Sequence, residues 1–244
     1  MTTHGSTDGT PAQVEYAMEA INHGVSAIAI RAANGVVLAA EKRILSKLLE
    51  VSKSSEKMYK VDDHVACSVA GLTSDANILI SEARAVAQRY ALTYQQPIPV
   101  EQLVQLLCDD MQAYTQFGGL RPFGASFLFA GYDHSHGWQL YQSDPSGNYA
   151  AWKATAIGAN NQSAQATLKQ EYDSSVDVDS AVKLAVRVLI RTMDSTSLSP
   201  DKLEVVTLRH DEAKGGIQQR MLSAEELKPA CDEATNSVQS EMHE

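Results

Sequence analysis

At 244 residues, 44% of them apolar and 20% charged, with only 14 Gly and 7 Pro, the chain has the composition of a folded domain, which excludes collagen-like, fibrous and wholly disordered classes. Its 20 Lys and Arg face 30 Asp and Glu, and the resulting net charge of −10 argues against a nucleic-acid groove or an anionic membrane face as the main partner. Three scattered cysteines make no disulfide framework and point to a reducing compartment, the opening residues lack the apolar core of a signal peptide, and no apolar run approaches the roughly 18 residues of a membrane span.

Residues 1–12 (MTTHGSTDGTPA) offer almost nothing to bury and read as a flexible arm. Residues 13–227 carry one dense periodic apolar pattern with no linker, and 228–244 turn polar and acidic and read as a solvated tail. Val14, Ala17, Met18 and Ile21 fall at helical spacing, with Gly24 as a left-handed stop. Strands follow at 26–31 and 36–40, joined by Ala33-Asn34-Gly35, a hairpin signal, and apolar residues on both faces predict a sheet covered on both sides. A buried strand is expected at 64–70. Helices are expected over 74–94, capped by Ser74, and from Pro99 at a first-turn position through Met111. Strands at 126–132 and 138–142 lead to Asp144-Pro145-Ser146-Gly147, type I turn chemistry, and then to one strand at 150–157. Helices at 163–172 and 179–193, a strand at 203–208 and a capping box at Ser223–Glu226 opening a short helix complete the pattern. Paired helices beside hairpin-rich sheets predict layers with helices outside and two sheets inside, not a doubly wound parallel sheet.

Little in the residues alone announces chemistry. There is no G-x-G-x-x-G, Walker loop, H-E-x-x-H or C-x-x-C, and no cofactor is expected. His134 and His136 read as an exposed hairpin tip, Asp62-Asp63-His64 as a polar turn, Cys67 and Cys108 as buried thiols, and Asn161-Gln162-Ser163 as a helix start.

Longer segments say more. QVEYAMEA (13–20), GVVLAAEK (35–42), SKLLE (46–50), Glu56-Lys57, AGLTSDA (70–76), YTQFGGLRPFG (114–124), GYD (131–133), DPSG (144–147) and KATAIG (153–158) occur in this order. Together they resemble the alpha subunits of the 20S proteasome over 13–227, and CSVAGLTSDAN, AQRYALTYQQPIP and LYQSDPSGNYAAWKATAIG resemble the type-4 branch most. The resemblance implies an α/β fold, the four-layer α/β/β/α sandwich of N-terminal-nucleophile hydrolases with an N-terminal helix. It implies residence in cytoplasm and nucleus, and a place in a heptameric ring beside other alpha subunits. That ring would stack on beta subunits and receive regulatory ATPase or activator caps.

Catalysis in this family needs an N-terminal Thr whose own amine takes part in proton transfer. By the resemblance Val25 stands at that Thr, Glu41 at the catalytic Asp, Lys57 at the catalytic Lys and Gly71 at the oxyanion-hole Gly. Val25 has no nucleophilic atom, so a non-catalytic subunit is expected; Ser26, the nearby hydroxyl, supports the rival reading of a self-processing hydrolase. A ring-independent binding paralogue is the third reading. In alpha subunits Lys57 and Gly71 would instead line a pocket for the C-terminal carboxylate of an activator tail, for which an ammonium is suited. Of the residues that hold the family's gate only Tyr16 is matched, because MTTHGSTDGTPA replaces the usual Tyr-Asp…Ser-Pro segment.

Overall fold

The computed structural model describes residues 12–42, 57–117, 119–193, 200–211 and 215–241. The arm up to Pro11 and the SKLLE motif therefore lie outside the described residues. In chain order the elements are α1 (Ala12–Asn22), β1 (Ala27–Ala32), β2 (Gly35–Glu41), β3 (Met58–Asp62), β4 (Val65–Gly71), α2 (Thr73–Tyr94) and α3 (Val100–Gln116). They continue with β5 (Ala125–Asp133), β6 (Gly137–Ser143), β7 (Tyr149–Ala151), β8 (Ala154–Ile157), α4 (Asn161–Glu171), α5 (Val178–Thr192), β9 (Leu203–Asp211), β10 (Gly216–Met221) and α6 (Ala224–Glu241).

Two antiparallel five-stranded sheets form the centre, one ordered β10-β9-β2-β1-β8 and the other β3-β4-β5-β6-β7. Alternate side chains along each strand sort into different cores, as the two-residue period of a strand requires. In β1, Ile28 and Ile30 pack outward under α4, α5 and α6, while Ala27 and Ala29 face the other sheet. In β5, Phe127 and Phe129 pack outward under α2 and α3, stacked at 5.3 Å, while Leu128 and Ala130 face inward. Each such aromatic contributes about 1.5–3 kcal/mol by leaving water. The result is the expected four-layer α/β/β/α sandwich. The seam between the sheets mixes alanines, Ala27, Ala29, Ala40, Ala66, Ala70 and Ala130, with larger side chains such as Leu38, Leu128 and Leu140.

Several local expectations are met. The β1–β2 hairpin pairs Ala32 with Gly35, Gly147 N–H closes the 144–147 turn on Asp144 O at 3.0 Å, and Ser223 N–H donates to Glu226 Oε2 at 3.0 Å in the capping box. Others are corrected. Gly24 does not adopt a left-handed conformation; it is needed because a Cβ there would lie 2.9 Å from Ile21 O, with Gly71 N at 3.2 Å. Leu72 rather than Ser74 is the N-cap of α2, Pro99 is itself the N-cap of α3, and Asp177 caps α5 by accepting from Ser180 N–H at 3.0 Å.

The single strand expected at 150–157 is two. Trp152 N–H bonds Leu140 O on β6, whereas Lys153 O accepts from Arg31 N–H on β1, so the chain steps from one sheet to the other at this dipeptide. The strands β3 and β10 are additional edges, polar enough to hide from a hydrophobicity pattern. Beyond Lys228 the chain does not run as a solvated tail: α6 continues to Glu241 and buries Leu227, Ala230, Cys231 and Ala234 at helical spacing. No helix of the described residues is long and apolar enough to cross a membrane.

Candidate functional site

The start of β1 is held by backbone bonds. Gly24 O accepts from Ala159 N–H at 2.9 Å, and Ser26 O accepts from Glu41 N–H at 3.1 Å. Gly158, at φ +86°, leaves room for this approach, because a Cβ there would lie 2.3 Å from Val25 O. Val25 is half-buried and flanked by peptide bonds, since α1 precedes it in the same chain. Ser26 is 3% exposed and its Oγ donates to Ala159 O at 2.6 Å. A buried hydroxyl that donates to a carbonyl serves as a structural donor. Glu41 ends β2, opposite Leu203 of β9.

Lys57 and Gly71 lie at one end of the second sheet. Lys57, partly buried, immediately precedes edge strand β3, and its carbonyl accepts from Val69 N–H at 3.1 Å. Gly71 is two residues further along β4, with φ +112°, a conformation side chains strongly disfavour. There is no space for one either: a Cβ would meet Gly124 O at 2.2 Å and Ile21 Cγ1 of α1 at 3.0 Å. The neighbours of Val25 reach two of the carried-over positions, Gly24 against Gly71 and Ser26 against Glu41, with α1 lying across β4 and β5, while Lys57 is tied to β4 through Val69. Tyr16 stands on α1 with 71% of its surface exposed, turned away from this junction.

A family model described as proteasome subunit matches residues 21–208. The chain belongs to the proteasome subunit family. It is 66% identical over 204 residues to the protein of Spinacia oleracea named proteasome subunit alpha type-4, covering 84% of this chain and 82% of that one. To proteasome subunit alpha type-4-A of Arabidopsis thaliana it is 64% identical over 204 residues, again 84% and 82% of the two chains. To proteasome subunit alpha type-4-1 of Oryza sativa subsp. indica it is 59% identical over 226 residues, 93% of this chain and 90% of that one.

In this proteasome-family chain the remaining candidates fall to structural roles. His134 and His136 are exposed at the β5–β6 turn, where Asp133 Oδ1 accepts the His136 N–H at 2.8 Å. His64 Nε2 lies 2.7 Å from Ile98 O and Nδ1 lies 3.6 Å from Asp62, which ties the polar turn to the loop before α3. Burial pushes the Cys67 and Cys108 thiols up to about 12, so neither is a thiolate nucleophile. Among the described residues no group of three or more His, Cys, Asp or Glu is arranged to hold a metal ion.

One feature of the site escapes a reading of the sequence. Asp75, in the first turn of α2, is 3% exposed and accepts from both Nη atoms of Arg121 and from Gly124 N–H. The Arg121 fork holds the Asp75 carboxyl below its ordinary range against the opposing effect of burial, and the Gly124 N–H adds to it. An acidic residue at a helix start ordinarily serves the helix dipole, so nothing about Asp75 in the sequence signals a buried acceptor.

Proposed function

We propose that this chain is a non-catalytic alpha subunit of type 4 in the outer ring of the 20S proteasome. In that role it helps enclose the proteolytic chamber and presents a docking surface to activators, in ubiquitin-dependent and ubiquitin-independent protein degradation. Its partners are neighbouring alpha subunits, beta subunits and regulatory ATPase or activator caps, and it works in cytoplasm and nucleus. The observation that carries this reading is the continuity of α1 into β1: Val25 has a peptide nitrogen in place of a free amine, and Ile21 packs on Gly71 where substrate would need access. The type-4 names of relatives at 59–66% identity support the choice of type 4.

Lys57 and Gly71 serve in this reading as a pocket for the C-terminal carboxylate of an activator tail, and Tyr16 as a contact of the gate. The pocket is supported by their common place at one end of the second sheet, beside an exposed Leu72. The test has two arms. Native mass measurement of the purified protein should find it in particles of many chains, and intact mass should show no cleavage before Ser26. An epoxyketone probe that requires an N-terminal Thr should leave this chain unlabelled, even after Val25→Thr. A probe adduct on the wild-type chain, or a processed form starting at Ser26, would overturn the proposal in favour of a hydrolase.

A further inference from the structure

Three separate pieces of chain meet beside Gly71: the end of β4, the start of α2 and the segment before β5. Buried carboxylates are costly unless fully partnered, and Asp75, on the start of α2, is partnered by the segment before β5. Arg121 Nη1 and Nη2 donate to its two oxygens at 2.6 and 2.7 Å, and Gly124 N–H donates to Oδ2 at 2.9 Å. Gly124 passes the constraint on. Its carbonyl accepts from Leu72 N–H at 2.8 Å and fills the space where Gly71 would carry a Cβ. Leu72 also lies over Gly124 on its side-chain face, its Cδ1 2.9 Å from where a Cβ would stand. The backbone of Gly71 and Leu72 is therefore registered against Gly124, and Gly124 against Asp75.

We infer that Asp75 and Arg121 are positioning residues for the carboxylate pocket, a latch that holds the Gly71–Leu72 backbone where an incoming tail lies against it. The inference rests on the pocket reading above. Arg121 is the informative handle, because its side chain is 66% exposed. Its removal opens no core cavity, yet it takes away a bidentate partner that one ammonium cannot reproduce.

Assembled particles carrying the wild-type chain, Arg121→Ala or Arg121→Lys are compared in two measurements. The first is amide hydrogen exchange at Leu72 and Gly124, with the amides of β9 on the other sheet as control. The second is titration with a synthetic peptide of an ATPase C-terminus, as free carboxylate and as C-terminal amide. Arg121→Ala should speed exchange at Leu72 and Gly124 about tenfold and leave β9 unchanged. It should weaken the carboxylate peptide about tenfold, with Arg121→Lys falling between the two. Unchanged exchange at both amides would overturn the latch, as would faster exchange with wild-type affinity. Acceleration spread equally to β9 would reduce the pair to a general stabiliser and overturn it too. Equal binding of the two peptides by the wild-type particle would overturn the pocket reading instead.

Discussion

The start of β1 and the end of β4 touch at Gly24 and Gly71, yet they are held by different means. The β1 end is stitched by backbone bonds to Ala159 and Glu41, and its one hydroxyl, on Ser26, is spent on a carbonyl. The β4 end is fixed through an ionic side-chain pair, Asp75 with Arg121, and has the partly buried Lys57 just before the neighbouring edge strand. The first end is thus held by backbone groups alone apart from Ser26, while charged side chains, Asp75 and Arg121 among them, collect at the second. Membership of a fold family fixes the frame and leaves activity to the particular side chains.

The comparison can be broken most forcefully by filling both ends. Gly71→Ala and Gly158→Ala each place a Cβ within 2.3 Å of a backbone oxygen at positive φ, so left-handed strain and overpacking act together. Each should cost about 3 kcal/mol, measured by urea unfolding of the chain. Next comes Asp75→Ala, which leaves Gly124 N–H without its acceptor and should cost about 2–3 kcal/mol. The pH dependence sharpens this. The folded-state pKa of Asp75 is depressed, so its contribution is complete above the ordinary carboxylate range near 4 and is lost as pH falls through the lower folded value. The gap between wild type and Asp75→Asn should therefore be full at neutral pH and close in strong acid, whereas Ser26→Ala should show a pH-independent loss of about 1 kcal/mol. Smallest is Tyr16→Ala, within about 0.5 kcal/mol for the chain alone, because the ring already stands in solvent; a larger loss would mean that α1 leans on it.

Much of this frame can be read from the residues. The Val14–Ile21 stripe, the Asn34-Gly35 hairpin, the 144–147 turn and the Ser223 capping box each follow from local chemistry, and the layered arrangement follows from their order. Three things do not. The apolar run through Trp152 is continuous, and only the hydrogen bonds of Trp152 and Lys153 to different sheets divide it. The edge strands β3 and β10 carry Lys60 and Asp62, and Gln218, Gln219 and Arg220, so an apolar period is faint there. The buried stripe of α6 is diluted by Pro229 and acidic neighbours, although Leu227, Ala230, Cys231 and Ala234 keep helical spacing. At the site, Lys57, Gly71 and Tyr16 are marked by resemblance alone, while Asp75 is an ordinary first-turn acid until Arg121 and Gly124 close on it.

The alanine seam between the two sheets acts as a spacer gauge. Because Ala29, Ala66 and Ala130 are buried among larger side chains of the seam, enlarging any one of them to valine overpacks it and should wedge the sheets apart. The wedge would open at the far junction, where Gly24 and Gly71 abut without side chains to follow the motion. Tolerances at the rim of the molecule are thus machined in its middle, and a substitution remote from every candidate site residue would be felt there as a change of fit.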